Sequence, residues 1–221
     1  MGSIFLVRHA TTRASASGTN LGQADDAALT ADGDRLAARV GAAIALELAA
    51  LPHDEIRVIS SPALRCRATA AAIAGELGVE ADPRSIEIEE GLRELDYGAW
   101  EGLTADECRR RDPELRARWE ADPYQTHSPG GESGADVAAR AFPVLERIEA
   151  WLAAGPTRAA IVVSHNHVIR LRMAAQLGIP PSDYRRRLLI EPGSYSLVTL
   201  AAGDRVPAVR RIGVSTPAPR E

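Results

Sequence analysis

Three short apolar runs, each ending in charged or hydroxyl residues and leading toward a helical pattern, constrain this chain most. Ile4–Val7, Ile56–Ser60 and Ala159–Val163 are too short for core helices and rich in Ile and Val, so they read as buried strands. Between them, apolar residues recur at helical spacing. Leu36, Val40, Ile44 and Leu48 form one such face, opened by Thr30 as a cap with Asp32 and Asp34 in the first turn. Ser61-Pro62 reads as a cap followed by Pro at the first helical position, with Gly78 as the stop. Thr104 to Glu107 fits a capping box, and Asp112-Pro113-Glu114 opens another short helix. Val137, Ala141, Val144, Ile148 and Trp151 mark a longer helix with a kink expected at Pro143. A further helix should run from Asn166 to Leu177 and stop at Gly178. Ile86–Glu89 reads as a brief strand, and Tyr195–Leu200 with Val206–Ile212 as a closing hairpin around Gly203-Asp204. The Ser/Gly/Asp-rich stretch Ala14–Ala28 reads as loop. Strands alternating with helices predict an α/β fold: a three-layer α/β/α sandwich on a mostly parallel sheet. One domain should span residues 1–214, with 215–221 a frayed tail.

Composition narrows the class. With 45% hydrophobic and 25% charged residues over 221 positions, the chain can build a substantial core. No apolar run approaches the ~20 residues of a membrane helix, and Met1–Arg8 lacks the basic start and long apolar stretch of a secretory signal. A net charge of -4 argues against a nucleic-acid partner. All 26 basic residues are Arg, so each must be weighed by position rather than type. Cys66 and Cys108 lie in helical stretches without a C-x-x-C motif and read as spectators, and a cytoplasmic setting is expected.

In open α/β sheets, ligands bind outside the C-terminal ends of the strands. After the first run stands Arg8-His9-Ala10-Thr11-Thr12, after the second Ser60-Ser61-Pro62-Ala63-Leu64-Arg65, after the third Ser164-His165-Asn166-His167. A lone His is most often structural, but two His and two Arg at corresponding strand ends suit phosphate handling. Arg offers paired planar donors matched to phosphate oxygens, and an unprotonated His can act as nucleophile. Arg65 falls in the first turn of its helix, where main-chain amides assist anion binding. No G-x-x-x-x-G-K-[ST] loop is present, which excludes a P-loop NTPase.

These segments, with Leu29-Thr30-Ala31-Asp32-Gly33, Leu92-Arg93-Glu94-Leu95-Asp96-Tyr97-Gly98-Ala99-Trp100-Glu101-Gly102 and Pro129-Gly130-Gly131-Glu132-Ser133, occur in an order that strongly resembles the histidine phosphatase superfamily, the phosphoglycerate-mutase-like proteins. The resemblance spans about residues 4–175. It implies that His9 is the nucleophile that becomes phosphohistidine. Arg8, Arg65 and His165 would surround the phosphoryl group as three cations, with Thr12 and the Asn166 backbone amide as further phosphate contacts. Glu94 would be the proton donor, with Glu101 and Glu90 as rivals. It implies no metal and no cofactor, a small phosphorylated substrate, no nucleic-acid or membrane partner, and it leaves a homodimer open. A two-histidine metal site at His165 and His167 is disfavoured, because no Cys or Asp cluster accompanies the pair.

The chain departs from the family pattern at several positions. Ala10 replaces the usual Gly after the catalytic His, and Thr11 the acidic residue that often follows. Ser15 stands where the family commonly has Asn, with Asn20 as a nearby substitute, and Asn166 replaces a Gly. Mutases of this family carry a long insert with paired Arg after the Tyr-Gly stretch. Here that segment is short, and Arg109-Arg110-Arg111 reads as the last turn of a helix. A phosphatase is therefore expected over a mutase or a non-catalytic phosphate-binding protein. Its substrate is open among a sugar phosphate, a phosphoglycerate derivative, a cobalamin-loop phosphate and a phosphorylated protein side chain. Arg93, Trp100, Tyr124 and His127 are the expected specificity wall, and His53 is expected to be exposed.

Overall fold

The computed structural model describes residues 2–23, 27–51, 53–79, 85–155, 157–200 and 207–216. In chain order the elements are β1 (Gly2–Arg8), α1 (Arg13–Ser17), α2 (Ala31–Ala49), β2 (Glu55–Ser60), α3 (Leu64–Glu76) and β3 (Ile86–Ile88). There follow α4 (Ala105–Arg111), α5 (Pro113–Ala121), α6 (Gly134–Ala153), β4 (Arg158–Ser164), α7 (Asn166–Leu177), α8 (Tyr184–Arg187), β5 (Tyr195–Leu200) and β6 (Ala208–Val214). The strands form one sheet in the order β3-β2-β4-β1-β5-β6. The first four are mutually parallel; β5 runs antiparallel to β1, and β6 antiparallel to β5. This is the α/β/α sandwich that the strand–helix alternation predicts.

Alternation along β1 divides the core. Phe5 and Val7 face one side, where Val40, Ile44 and Leu48 of α2 and Ile73 of α3 cover them. Ile4 and Leu6 face the other, against Leu145, Ile148 and Leu152 of α6 and Ile169 of α7. Burial on both faces explains why the run is continuously apolar rather than alternating. Each large side chain so buried contributes about 1.5–3 kcal/mol. The chain leaving β1 turns toward the α2 face, whereas the chain leaving the adjacent β4 turns into α7 on the opposite face. Neighbouring parallel strands whose connections part in this way open a crevice at their C-terminal ends.

Several boundaries differ from the sequence reading. The segment expected to be loop from Ala14 contains α1, because Thr12 and Ser15 cap each other reciprocally and Gly18 ends the turn at φ 71°. Helix α3 starts at Leu64 with Ala63 as an uncapped N-cap, not at Ser61-Pro62. The Ser61 hydroxyl is engaged elsewhere, against His165 at 2.8 Å. Helix α6 continues through Pro143, and α7 spans the predicted Asn166–Leu177, ended by Gly178 at φ 65°. The hairpin turn at Gly203-Asp204 and the end of the tail, 217–221, lie outside the described residues. Among the described residues no helix is long and apolar enough to cross a membrane.

Candidate active site

Strand register builds the site. Arg8 of β1 pairs with Ser164 of β4, so His9 and His165 emerge side by side, with ring centroids 5.3 Å apart in an edge-on arrangement. Ser60 of β2 pairs with Val163, which brings Ser61 beside the same edge. Arg65 then reaches back from the first turn of α3, where its Nη2 donates to the Gly22 carbonyl at 2.9 Å and lies 3.3 Å from His165 Nδ1. Arg8 Nη1 donates to the Ile190 carbonyl at 2.6 Å. Thr12 is fully buried as the cap of α1.

His9 is 5% exposed. Its Nδ1 lies 2.8 Å from the Ala10 carbonyl and must donate to it, which fixes the tautomer that leaves Nε2 unprotonated. Burial, then Arg65 and Arg8, holds the ring well below the usual imidazole range. His9 is thus neutral at pH 7, as a nitrogen nucleophile requires. Ala10 has no positive φ and its N–H donates to Thr69 Oγ1 at 3.0 Å, so the departure from Gly costs nothing in backbone conformation.

His165 is also pushed well below the usual range, by burial first and Arg65 next. Arg65 can only donate, so Nδ1 accepts from it and Nε2–H donates to Ser61 Oγ. The expected three cations therefore reduce to two arginines and a neutral imidazole. Cys66, read as a spectator, packs its Sγ 3.4 Å from His165 Nε2.

Glu94 is 8% exposed and sits on the start of α7. Oε2 accepts from the Asn166 N–H at 3.1 Å, and Oε1 accepts from the N–H groups of His167 at 3.3 Å and Leu95 at 2.9 Å. The Asn166 amide expected to meet phosphate is thus paired with the carboxylate. Of the rival acids, Glu101 accepts from the backbone N–H groups of Gln23 and Tyr97, and Glu90 is exposed in an ion pair with Arg93 at 2.6 Å. Only Glu94 of the three lines the cavity.

That cavity, of about 170 Å³, has Arg8, His9, Thr12, Arg65 and Glu94 in its wall, together with Asn166. A second hollow of about 130 Å³ shares Arg65 and Glu94 with it and adds His165 and Arg93. Ser15 and Asn20 also line the first, but both are engaged. The Ser15 hydroxyl is in the α1 cap, and Asn20 Nδ2 donates to the Trp100 carbonyl at 3.3 Å. Of the expected specificity wall, only Arg93 lines either hollow. Trp100 is fully buried in the core, Tyr124 packs against that core, and His127 is exposed beside Asp136. His53 is exposed, as expected.

Three features escaped the sequence reading. Arg140 of α6 pairs with Glu132 through both carboxylate oxygens at 2.8 Å and donates to the carbonyls of Gly91, Arg93 and Glu94. It thereby holds the loop that presents Glu94. His167 does not turn toward His165. Its ring nitrogens meet the hydroxyls of Tyr97 at 2.8 Å and Tyr184 at 2.6 Å, leaving neither for a metal. Arg185, on the four-residue α8, is part of the cavity wall. The pairing of Arg140 with an acid in a Gly-Gly-Glu-Ser segment is a signal that could have been sought. A lone arginine in Tyr-Arg-Arg-Arg gives none.

Sheet order, strand-end histidines and flanking arginines define an α/β protein of phosphoglycerate-mutase-like architecture. The sequence profile described as histidine phosphatase superfamily (branch 1) matches residues 4–213. The chain belongs to that superfamily. It is 36% identical over 157 residues to a bifunctional protein of Mycobacterium tuberculosis, covering 70% of this chain and 40% of that one. It is 32% identical over 158 residues to the glucosyl-3-phosphoglycerate phosphatase of Mycolicibacterium vanbaalenii, covering 69% of this chain and 66% of the relative. The chain thus spans less than two thirds of either relative's length. The solved structure of Bacillus stearothermophilus YhfR superposes with a TM-score of 0.76 at 26% identity, covering 98% of each chain.

Proposed function

We propose that this chain is a metal-independent phosphomonoester hydrolase that works through a phosphohistidine on a small phosphorylated metabolite. One observation carries the reading: a buried, neutral His9 with Nδ1 tied to a carbonyl shares one cavity with Arg8, Arg65 and Glu94. In the first step His9 Nε2 attacks phosphorus and the ester P–O bond breaks. Glu94 gives its proton to the departing oxygen, while Arg8 and Arg65 hold charge on the phosphoryl oxygens. In the second step water attacks phosphorus, Glu94 takes the water's proton, and the P–N bond breaks. Inorganic phosphate leaves and His9 is restored.

The same site could serve a mutase, but the arginine triplet offers that reading no support. Arg109 pairs with Asp106 and Glu120, Arg111 donates to the Ala99 carbonyl, and none of the three lines either hollow. The name of the mycobacterial relative, a glucosyl-3-phosphoglycerate phosphatase, supports hydrolysis of a phosphorylated metabolite. The test is phosphate release from p-nitrophenyl phosphate and from alkyl phosphates after exhaustive EDTA dialysis, beside an assay for interconversion of 2- and 3-phosphoglycerate. Phosphate release that survives EDTA, with little interconversion, is expected. Efficient interconversion moves the chain to the mutase class. Loss restored by Zn²⁺ or Mg²⁺ overturns the metal-free mechanism. No turnover of any ester leaves a phosphate-binding protein.

A further inference from the structure

Counting Arg170, four arginines against the one carboxylate of Glu94 give the cavity more positive charge than one phosphoryl group needs. Besides Arg8 and Arg65, its wall includes Arg185, and Arg170 of α7 lies behind it, 8% exposed. Among the described residues, neither Arg170 nor Arg185 has a carboxylate partner, and the Nε of each is buried without a hydrogen bond. The nearby acids are spoken for: Glu94 serves Arg8 and the amides at the start of α7, and Asp183 pairs with Arg186 and with Arg187, the other two arginines of α8. Arg185 is held instead by stacking, its guanidinium carbon 4.4 Å from the centroid of the Trp119 ring. Stacking on an indole orients a guanidinium without neutralising it. Burial and the charges of Arg185 and Arg8 push Arg170 down to about 10, so the two side chains and Arg8 share one field. Tyr97, also in the cavity wall, is fixed by its bond to His167, itself anchored by Tyr184.

Arg170 is buried and Arg185 half-buried, and the one carboxylate that acts on Arg170, Glu94, acts on Arg8 as well, so positive charge is left over and the missing charge is most simply that of a ligand. We propose that Arg185, backed by Arg170 and flanked by the Tyr97 hydroxyl, forms a second anion subsite in this cavity that selects phosphomonoesters whose leaving group carries a carboxylate or a second phosphate. The proposal rests on the phosphatase reading for its choice of substrate class. It deepens that reading: the first anion is the phosphoryl group between Arg8 and Arg65, and the second belongs to the part that departs.

Matched esters test it. 3-Phosphoglycerate and glycerol 3-phosphate differ by a carboxylate against a hydroxymethyl group, and fructose 1,6-bisphosphate and fructose 6-phosphate differ by a phosphate. Wild type should prefer the charged member of at least one pair, and the pair that shows the preference identifies the anion. Arg185→Gln should cut that preference about 10- to 100-fold, the range of a hydrogen bond to a charged group, while Arg185→Lys keeps most of it. Absence of preference in both pairs overturns the subsite, as do equal losses on charged and neutral esters. A binding arm separates this from the hydrolase reading. In His9→Ala protein, calorimetric affinity for 3-phosphoglycerate and for fructose 1,6-bisphosphate should fall for at least one when Arg185→Gln is added. If wild type turns over no ester but this dependence holds, the hydrolase reading fails and the subsite stands. If esters are hydrolysed and Arg185 affects neither preference nor affinity, the reverse is true.

Discussion

Glu94 is asked to do two things at once. Its carboxylate closes the first turn of α7 by accepting from the Asn166 and His167 amides, and it faces the cavity that His9 lines. Glu94→Gln keeps one of the two accepting oxygens, enough for the His167 and Leu95 amides but not for that of Asn166, and it cannot pass a proton. Its effect should therefore follow the leaving group. Alkyl esters, whose alkoxides need the proton, should lose about 10²–10⁴-fold in kcat/KM, and p-nitrophenyl phosphate much less. Steady-state kinetics on the two ester classes checks this, and equal losses would confine Glu94 to closing α7 or to the water step. His9 makes a second prediction. Its ring is held well below the usual imidazole range, so the acid limb of kcat/KM should not show a titration near 6.5. A limb at that pH, measured in the free-enzyme profile, would mean that the ring is not desolvated as the structure places it.

At the scale of elements, the site depends on two loops that lock together. The Tyr97-Gly98 turn meets the Pro129–Gly131 turn backbone to backbone. A Cβ on Gly98 would lie 2.3 Å from the Pro129 carbonyl oxygen, and one on Gly131 would lie 2.3 Å from that of Asp96. Gly98 also has φ 52°, which a side chain disfavours. Arg140 clamps the same loops from α6 by pairing with Glu132 in the second of them, each side chain 23% exposed. Arg140→Leu should cost about 2 kcal/mol, below the value for fully buried pairs because both partners are partly solvated. Denaturant unfolding measures the loss. Turnover of alkyl esters should fall with it, because the carbonyls of Arg93 and Glu94 lose their donors. Unchanged stability would mean that the glycine contacts alone hold the loops. Much of this was legible in the sequence and some was not. Helix α7 was readable end to end because a β-branched strand precedes it and Gly178 stops it. The start of α3 was misplaced because Ser61 has the residue type of a cap, yet its hydroxyl serves His165. Trp100 reads as a pocket wall in the sequence because it stands in the motif. Period alone does not say which way a turn residue points, and its buried indole instead donates to the half-buried Asp112 at the edge of the core. Helix α8 was missed because Tyr184–Arg187 is too short to show an apolar face.

At the scale of the whole molecule, three of the five histidines are buried at one edge of the sheet. His9, His165 and His167 are all held well below the usual imidazole value, by burial first in each case. Above about pH 6.5 they are neutral folded or unfolded and stability does not depend on them. Below it the unfolded chain binds protons that the folded chain refuses, so stability falls as pH drops toward the folded values. The slope should approach about 4 kcal/mol per pH unit, about 1.4 for each imidazole. The carboxylates that are held low, Glu107, Glu120, Asp136 and Asp183, titrate below this range, so unfolding between about pH 5 and 6.5, at and below the ordinary imidazole value, reads mainly the histidines. A flat stability over that interval would contradict the burial described.

The central claim is that His9 Nε2 takes the phosphoryl group. Rapid acid quench of wild type turning over a radiolabelled phosphomonoester, followed by peptide mapping, tests it most directly. The account predicts an acid-labile, base-stable phosphoryl group on the peptide containing His9. His9→Ala should show no such label, and its turnover should fall below about 1% of wild type, on the scale of nucleophile losses. Label on another residue, or substantial turnover by His9→Ala, would contradict it.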